Sequence, residues 1–333
     1  MSDKHILVLG SGSVGKRHAR NLKELGCRIS CMDPRDDRLE EMAGEVELVS
    51  TFNDHVEAIH DEKYDGVVIG SPPHVHVEQT KAALEAEIPV LLEKPVCPDL
   101  AGAEALANAA EQASAKLLMG YTWRWWPPLA RVRQLLADRA IGDIMHVQFH
   151  MSAHLADWHP WERYQDFFMS QSALGGGALL DESHWIDLML WLFGKPDKVS
   201  GRIEKISNLE IDSDDNVDLL FVYDDGPRVT THLDLYGRPH EKFIRFVGSD
   251  GTIFWSADPN EIRLGRGWEQ KWETESFDCE RNDMFVATAK EFLKVIDGAN
   301  PETCTIEDGV NVLRVIEAAR KASAQGCSVR VGQ

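Results

Sequence analysis

A short apolar run, residues 6–9, passes directly into Gly10-Ser11-Gly12-Ser13-Val14-Gly15, and a helical pattern then runs from 14 to 25, closed by Gly26. A strand, G-x-G-x-x-G and a helix in that order leave few folds open. The glycines permit a tight turn, close approach of a pyrophosphate and close packing of helix on strand. The helix N-terminus meanwhile presents free N–H groups to the phosphates. A second strand, 28–32, ends at Asp33, eighteen residues past Gly15 (33 − 15), where an acid accepts the ribose hydroxyls of a dinucleotide. Gly10, Ser11, Gly12, Ser13, Val14, Gly15 and Asp33 are therefore candidate cofactor residues. A carboxylate repels a 2′-phosphate, so Asp33 favours NAD. Arg35, two residues on, can accommodate that phosphate instead and leaves NADP open.

The alternation continues with strands at 47–51, 66–69, 90–92 and 116–119 and helices at 77–87 and 101–114. Strands spaced by helices imply βαβ units and a mainly parallel sheet. After about Tyr121 the texture changes. A Trp- and Pro-containing stretch, 123–128, leads into a helix through Ala137, and alternating runs follow at 145–151, 199–206, 217–223, 228–235, 243–247 and 252–255. Asp224-Asp225-Gly226 and Ser249-Asp250-Gly251 supply turns of the kind that join antiparallel strands. Helices at 283–296 and 306–324 close the chain. The expectation is an α/β protein of two domains, since 333 residues exceed one ordinary core. A parallel, doubly wound Rossmann domain spans 1–121. A C-terminal α+β domain with a large, mostly antiparallel open sheet spans 122–333, and its last helix can pack back on the first domain.

Thirty-five basic against 55 acidic residues give a formal charge of −20, which argues against nucleic acid or an anionic membrane as partner. Six scattered cysteines without a C-x-x-C pair read as reduced thiols of a cytoplasmic protein. The first five residues are polar and no apolar stretch approaches a membrane span, so neither a signal peptide nor an anchor is expected.

Three loops carry candidate chemistry. Val90-Leu91-Leu92 closes on Glu93-Lys94-Pro95, which sets an ammonium group at the carboxyl end of a strand, where open α/β sheets bind ligands. Ser71-Pro72-Pro73-His74-Val75-His76 follows another strand. Either Ser71, Pro72 and His74 line the same crevice against the nicotinamide half of the cofactor, or the loop is rigid and its histidines cap the next helix. In the second domain, residues 154–164 include Asp157-Trp158-His159-Pro160-Trp161 and Arg163-Tyr164. Aromatic faces stack on the C–H faces of sugar rings while charged groups bind hydroxyls or carboxylates, so Trp158, His159 and Tyr164 are candidate substrate contacts. A staple between domains is the other reading of that loop. His154, Asp157 and His159 lack a compact ligand spacing such as H-E-x-x-H, and no metal is expected.

In this order, the glycine fingerprint, Asp33, Ser71-Pro72-Pro73-His74 and Glu93-Lys94-Pro95 resemble the Gfo/Idh/MocA oxidoreductases, the glucose–fructose oxidoreductase and inositol dehydrogenase family. The resemblance continues through Gly175-Gly176-Gly177-Ala178-Leu179-Leu180-Asp181 and His184-Trp185-Ile186-Asp187 into the last helix, essentially the whole length. It implies hydride transfer between a nicotinamide and a carbinol carbon of a sugar or cyclitol. It also implies a second-domain sheet whose exposed face assembles a homo-oligomer, dimer or tetramer. By match to the family, Lys94, His184 and Asp181 act at the substrate hydroxyl, and Glu93 and Lys94 also border the cofactor. Arg124 matches the arginine of an Asn-x-Arg pattern beside cofactor and substrate, with Thr122 in place of the asparagine. The chemistry is coherent: a base must take the hydroxyl proton as hydride leaves, and a neutral histidine titrates in the right range. A lysine buried beside a cationic nicotinamide has its pKa lowered and can assist. Asp181 precedes His184 by three residues where many members have four; both spacings share a helix face, as does Asp187 three residues further on. Two other activities fit the same motifs: a hydrolase or lyase that oxidises a sugar transiently with NAD, and a non-catalytic NAD-binding regulator.

Overall fold

Short strands buried along their whole length cannot stand in water, and four such strands lie within one six-stranded sheet. The computed structural model describes residues 3–158, 160, 162–268 and 271–332. Its chain divides into two compact units, 1–125 with 280–310 and 126–279 with 311–333. In the first, β1 (His5–Leu9), β2 (Arg28–Met32), β3 (Leu48–Phe52), β4 (Gly66–Ile69), β5 (Val90–Glu93) and β6 (Leu117–Gly120) pair in the order β3-β2-β1-β4-β5-β6. Every pairing is parallel. This is the doubly wound dinucleotide-binding order, with its switch point between β1 and β4. All residues of β1, β4, β5 and β6 are buried, which is why they read as unbroken apolar runs.

Helices α1 (Ser13–Glu24), α2 (Asp36–Glu45), α3 (His55–Asp61), α4 (His76–Glu85) and α5 (Leu100–Gln112) make the crossovers. Two of them, α2 and α3, lie beyond the sequence expectation. Within α2 only Leu39 and Met42 are buried, too few to trace a periodic face. The short α3 is set by its cap: Asp54 Oδ1 accepts the N–H groups of Val56 and Glu57 at 2.9 Å each. The helix Arg281–Ile296 returns to this unit and packs on α1, where Asn21 and Asn282 exchange side-chain amide hydrogen bonds at 3.2 and 2.9 Å.

The second unit begins with α6 (Pro127–Ala137), whose opening proline supplies a preset φ and lacks only an N–H that would have no partner anyway. A nine-stranded sheet follows: β7 (Ile144–Ser152), β8 (Lys198–Glu204), β9 (Asn216–Val222), β10 (Arg228–Asp234), β11 (Glu241–Gly248), β12 (Gly251–Ala257), β13 (Asn260–Arg266), β14 (Trp272–Ser276) and β15 (Val329–Arg330). They are ordered β14-β13-β12-β11-β7-β10-β9-β8-β15, and only β7 and β10 run parallel. Alternation separates the faces. Val147, Phe149 and Met151 of β7 point inward with Val217, Leu219 and Phe221 of β9, and Trp185 packs edge-on to Phe149 at 6.2 Å. Strands β13 and β14 escape the sequence reading because β13 carries only Ile262 and Leu264 inward and β14 is exposed throughout. No described helix is long and apolar enough to cross a membrane.

On the outward face of the sheet a row of rings crosses the central strands. His232 stacks on His150 at 5.2 Å and His150 on Phe243 at 4.5 Å. His232 also lies between two carboxylates, with Nε2 3.0 Å from Asp234 and Nδ1 2.7 Å from Asp218. The hydrogen bond to Asp234, with that to Asp218, outweighs burial and raises the His232 pKa from 6.5 to about 9. Because the folded-state value is the higher, this stabilisation is complete below 6.5 and is lost as pH rises through about 9. Urea unfolding should therefore give a midpoint that falls between about pH 7 and about pH 10 in the native protein and changes less in His232→Asn; equal changes in the two would contradict the assignment.

Candidate active site

The turn from β1 into α1 is built by backbone proximity. Gly10, at φ 94, donates its N–H to Met32 O at 2.7 Å, and a Cβ there would stand 2.6 Å from Ser71 N. A Cβ on Gly15 would strike Gly10 O at 1.9 Å. Only glycine allows the loops after β1 and β4 to meet in this way. Gly12, the N-cap of α1, is different: a Cβ there would meet nothing within 4 Å. Open space over Gly12 at a helix N-terminus is the cradle a pyrophosphate requires, so these residues fit a dinucleotide.

Asp33 closes the turn from the other side. Its Oδ2 accepts the Ser11 N–H at 2.8 Å and its Oδ1 the Arg35 N–H at 3.0 Å, so the carboxylate is held at the loop edge. Arg35 turns outward instead, with its guanidinium on Asp37 at 3.0 and 2.5 Å. To serve a 2′-phosphate, Arg35 has to exchange that partner.

Two further loops of this unit are tied together. Ser71 Oγ donates to Gln79 at 2.5 Å, and Pro73–Val75 forms a 3-10 turn on which His74 is exposed. His76 does not cap the following helix. Its ring is fully buried, with Nε2 2.8 Å from Ser71 O and Nδ1 2.9 Å from Pro95 O. Burial lowers its pKa, against the two carbonyl hydrogen bonds and the nearby Glu93 charge, which act to raise it. Glu93, at the end of β5, is buried with its Oε1 2.6 Å from Nε2 of His18 on α1, and Lys94 follows it partly exposed. Arg124 is buried too: it donates to Thr303 O at 2.9 Å and pairs with Asp308 at 3.2 Å.

In the second unit, Gly177 at φ 113 opens α7 (Ala178–Asp181), and α8 (His184–Phe193) follows. A single face through 181, 184 and 187 of one helix, as the sequence suggests, is replaced by two helices. The bonding shortens to i→i−3 between Ser183 N and Leu180 O and between Trp185 N and Glu182 O. The tightened turn separates Asp181, at the end of α7, from His184, at the start of α8. Asp181 is buried and His184 partly exposed. The Leu179 N–H donates to Asp214 at 2.9 Å, fixing the entrance to α7; burial raises the Asp214 pKa.

Along residues 154–164, His154 accepts from Ala156 N and Asp157 takes both arms of Arg238 at 2.7 Å each. Tyr164 OH accepts the Glu210 N–H at 3.3 Å. The indole N–H of Trp158 is buried and has no hydrogen-bond partner among the described residues. His159 lies outside those residues. Among the described residues, no cluster of three or more His, Cys, Asp or Glu could hold a metal ion.

Residues 4–121 match the model of an oxidoreductase family with an NAD-binding Rossmann fold, and 129–254 match the C-terminal domain model of the same family. The chain belongs to the Gfo/Idh/MocA oxidoreductase family. Among curated family members, it is 25% identical to myo-inositol 2-dehydrogenase of Thermotoga maritima over 98% of both chains. It is 23% identical to D-xylose 1-dehydrogenase (NADP(+)) 2 of Haloferax volcanii over 97% of this chain and 98% of that one. Levoglucosan dehydrogenase in complex with NADH shares the fold, with a TM-score of 0.90 at 18% identity over 100% of both chains.

The sequence assigns no role to His18 and offers His76 as part of a loop that either lines the crevice or caps the next helix. The signal for His18 was position: three residues past Gly15, on the face of α1 that also buries Ala19 and Leu22. The Asp33 geometry predicts that Asp33→Ala lowers the ratio of NADH to NADPH affinity, read by nicotinamide fluorescence, by about tenfold or ~1.4 kcal/mol. An unchanged ratio would remove Asp33 from cofactor choice.

Proposed function

We propose that this chain is an NAD(P)-dependent dehydrogenase that moves a hydride between the nicotinamide and a ring hydroxyl or ketone of a sugar, sugar derivative or cyclitol. The observation that carries the reading is the loop of Lys94, fixed at the carboxyl end of β5 in a unit whose β1–α1 turn leaves Gly12 open. The curated relatives named for inositol and xylose oxidation support the substrate class.

Gly10 to Gly15 would hold the pyrophosphate and Asp33 the adenosine ribose, with Ser71, Pro72, His74 and Glu93 along the nicotinamide half. The bound cofactor supplies a hydride acceptor or donor. His184 takes the proton of the substrate hydroxyl at a ring nitrogen, and Asp181 orients that ring. Lys94 Nζ clamps the same hydroxyl and assists the proton transfer. Trp158, with an indole N–H to offer, Tyr164, His159 and Arg124 serve substrate binding. NAD is the preferred cofactor, because Asp33 is held at the loop edge and Arg35 is engaged by Asp37. Six free cysteines support a cytoplasmic setting. The ring row on the outward sheet face supports a homo-oligomer formed there.

A panel of cyclitols, pentoses, hexoses, uronic acids and nucleotide sugars, read as NADH or NADPH formation, tests the class. With the best substrate, Lys94→Ala should lose about 10²–10⁴-fold in kcat while NADH affinity changes little. Native turnover in that variant would sink the assignment, as would cofactor-dependent bond cleavage without net NADH.

A further inference from the structure

Two buried histidines outside the proposed acid/base set converge on the Glu93-Lys94-Pro95 turn. His18 has no solvent exposure and holds Glu93 Oε1 at 2.6 Å, while Glu93 Oε2 accepts the Lys94 backbone N–H at 3.3 Å. The carboxylate has little room to swing. Phe285 stands edge-on to His18 at 5.6 Å with Arg17 over its ring at 4.7 Å, and a Cβ on Gly120 would come within 3.1 Å of the Glu93 carboxyl group. From the other side, His76 lies between Pro95 O at 2.9 Å and Ser71 O at 2.8 Å, and its neutral ring donates its one N–H to one of these carbonyls, here taken as Pro95 O. Lys94 is thus flanked by a side-chain carboxylate and a backbone carbonyl, each next to a fully buried imidazole.

Simple stability is a poor reason for this arrangement. Well-packed apolar residues of similar volume hold a strand end about as firmly as a buried polar pair, whose desolvation cancels much of its attraction. What the polar pairs add is direction, since each hydrogen bond tolerates one geometry. We propose that His18 and His76 are positioning residues for Lys94: His18 acts through the Glu93 carboxylate and His76 through the Pro95 carbonyl to set where the ammonium group stands. This rests on the reading of Lys94 as the assisting acid/base group. Neither histidine touches substrate; both fix the backbone from which Nζ is delivered, and a misplacement of about 1 Å costs on the order of 10²-fold in rate.

The test is a double-mutant cycle on the full-length protein with NAD and the best substrate of the panel. His18→Asn and His76→Asn should each lower kcat about 10–100-fold, with NADH affinity within about threefold of native by nicotinamide fluorescence. In the Lys94→Ala background either change should cost less than about threefold more, because a group that acts through Lys94 has nothing left to act on. A urea midpoint measured for each variant guards against one that does not fold. Losses that multiply with that of Lys94→Ala, or single variants at native kcat, would overturn the proposal. Native turnover in Lys94→Ala itself would instead remove the reading beneath it.

Discussion

A carboxylate cannot be buried without partners, and Glu93 at the end of β5 is 5% exposed. Much of the first unit is arranged around that requirement. Strand β5 delivers the carboxyl group, α1 brings His18 to it at 2.6 Å, and β6 stays clear by placing Gly120 opposite. The helix Arg281–Ile296 then covers the pair with Phe285. Removing one partner from a buried pair of this kind typically costs about 3–5 kcal/mol. The same α1 begins at Gly12, so the helix that offers its N-terminus to a dinucleotide also secures the turn that carries Lys94.

The second unit meets a different constraint. Its sheet is wide and has to cover one face with helices while leaving the other outward. The inward face is filled by apolar residues at every second position and by Trp185 and Trp255, 6.3 Å apart. A glycine loop and the Asp214 carboxyl fix the entrance to α7, and a tightened turn links α7 to His184. The candidate residues Lys94, Asp181 and His184 thus sit at element ends, where backbone geometry rather than side-chain flexibility places them.

The parallel strands β1, β4, β5 and β6 were legible because each is buried along its whole length, whereas β3, half-exposed, gave a weaker signal; the fingerprint fixed the first helix. Elements with thin signals were not: α2 buries two residues, α3 depends on Asp54, and β14 buries none. Of the candidate site, Asp33 and Glu93-Lys94-Pro95 were legible by spacing and position. His18 was not, since a histidine on a helix carries no mark of the carboxylate it will meet 75 residues later. Arg35 and Arg124 illustrate the converse. Sequence gives a guanidinium near the right place, but the fold sets one on Asp37 and the other on Thr303 and Asp308.

Hydride transfer from a polyol carbon is what this scaffold is arranged to perform. It is tested most directly by supplying a polyol deuterated at the carbinol carbon, with NAD, and weighing the nicotinamide product by mass spectrometry. Direct hydride transfer leaves one deuterium in NADH per ketone formed. Product formed without deuterium in the dinucleotide, or a cleaved substrate with the cofactor returned as NAD, would contradict it.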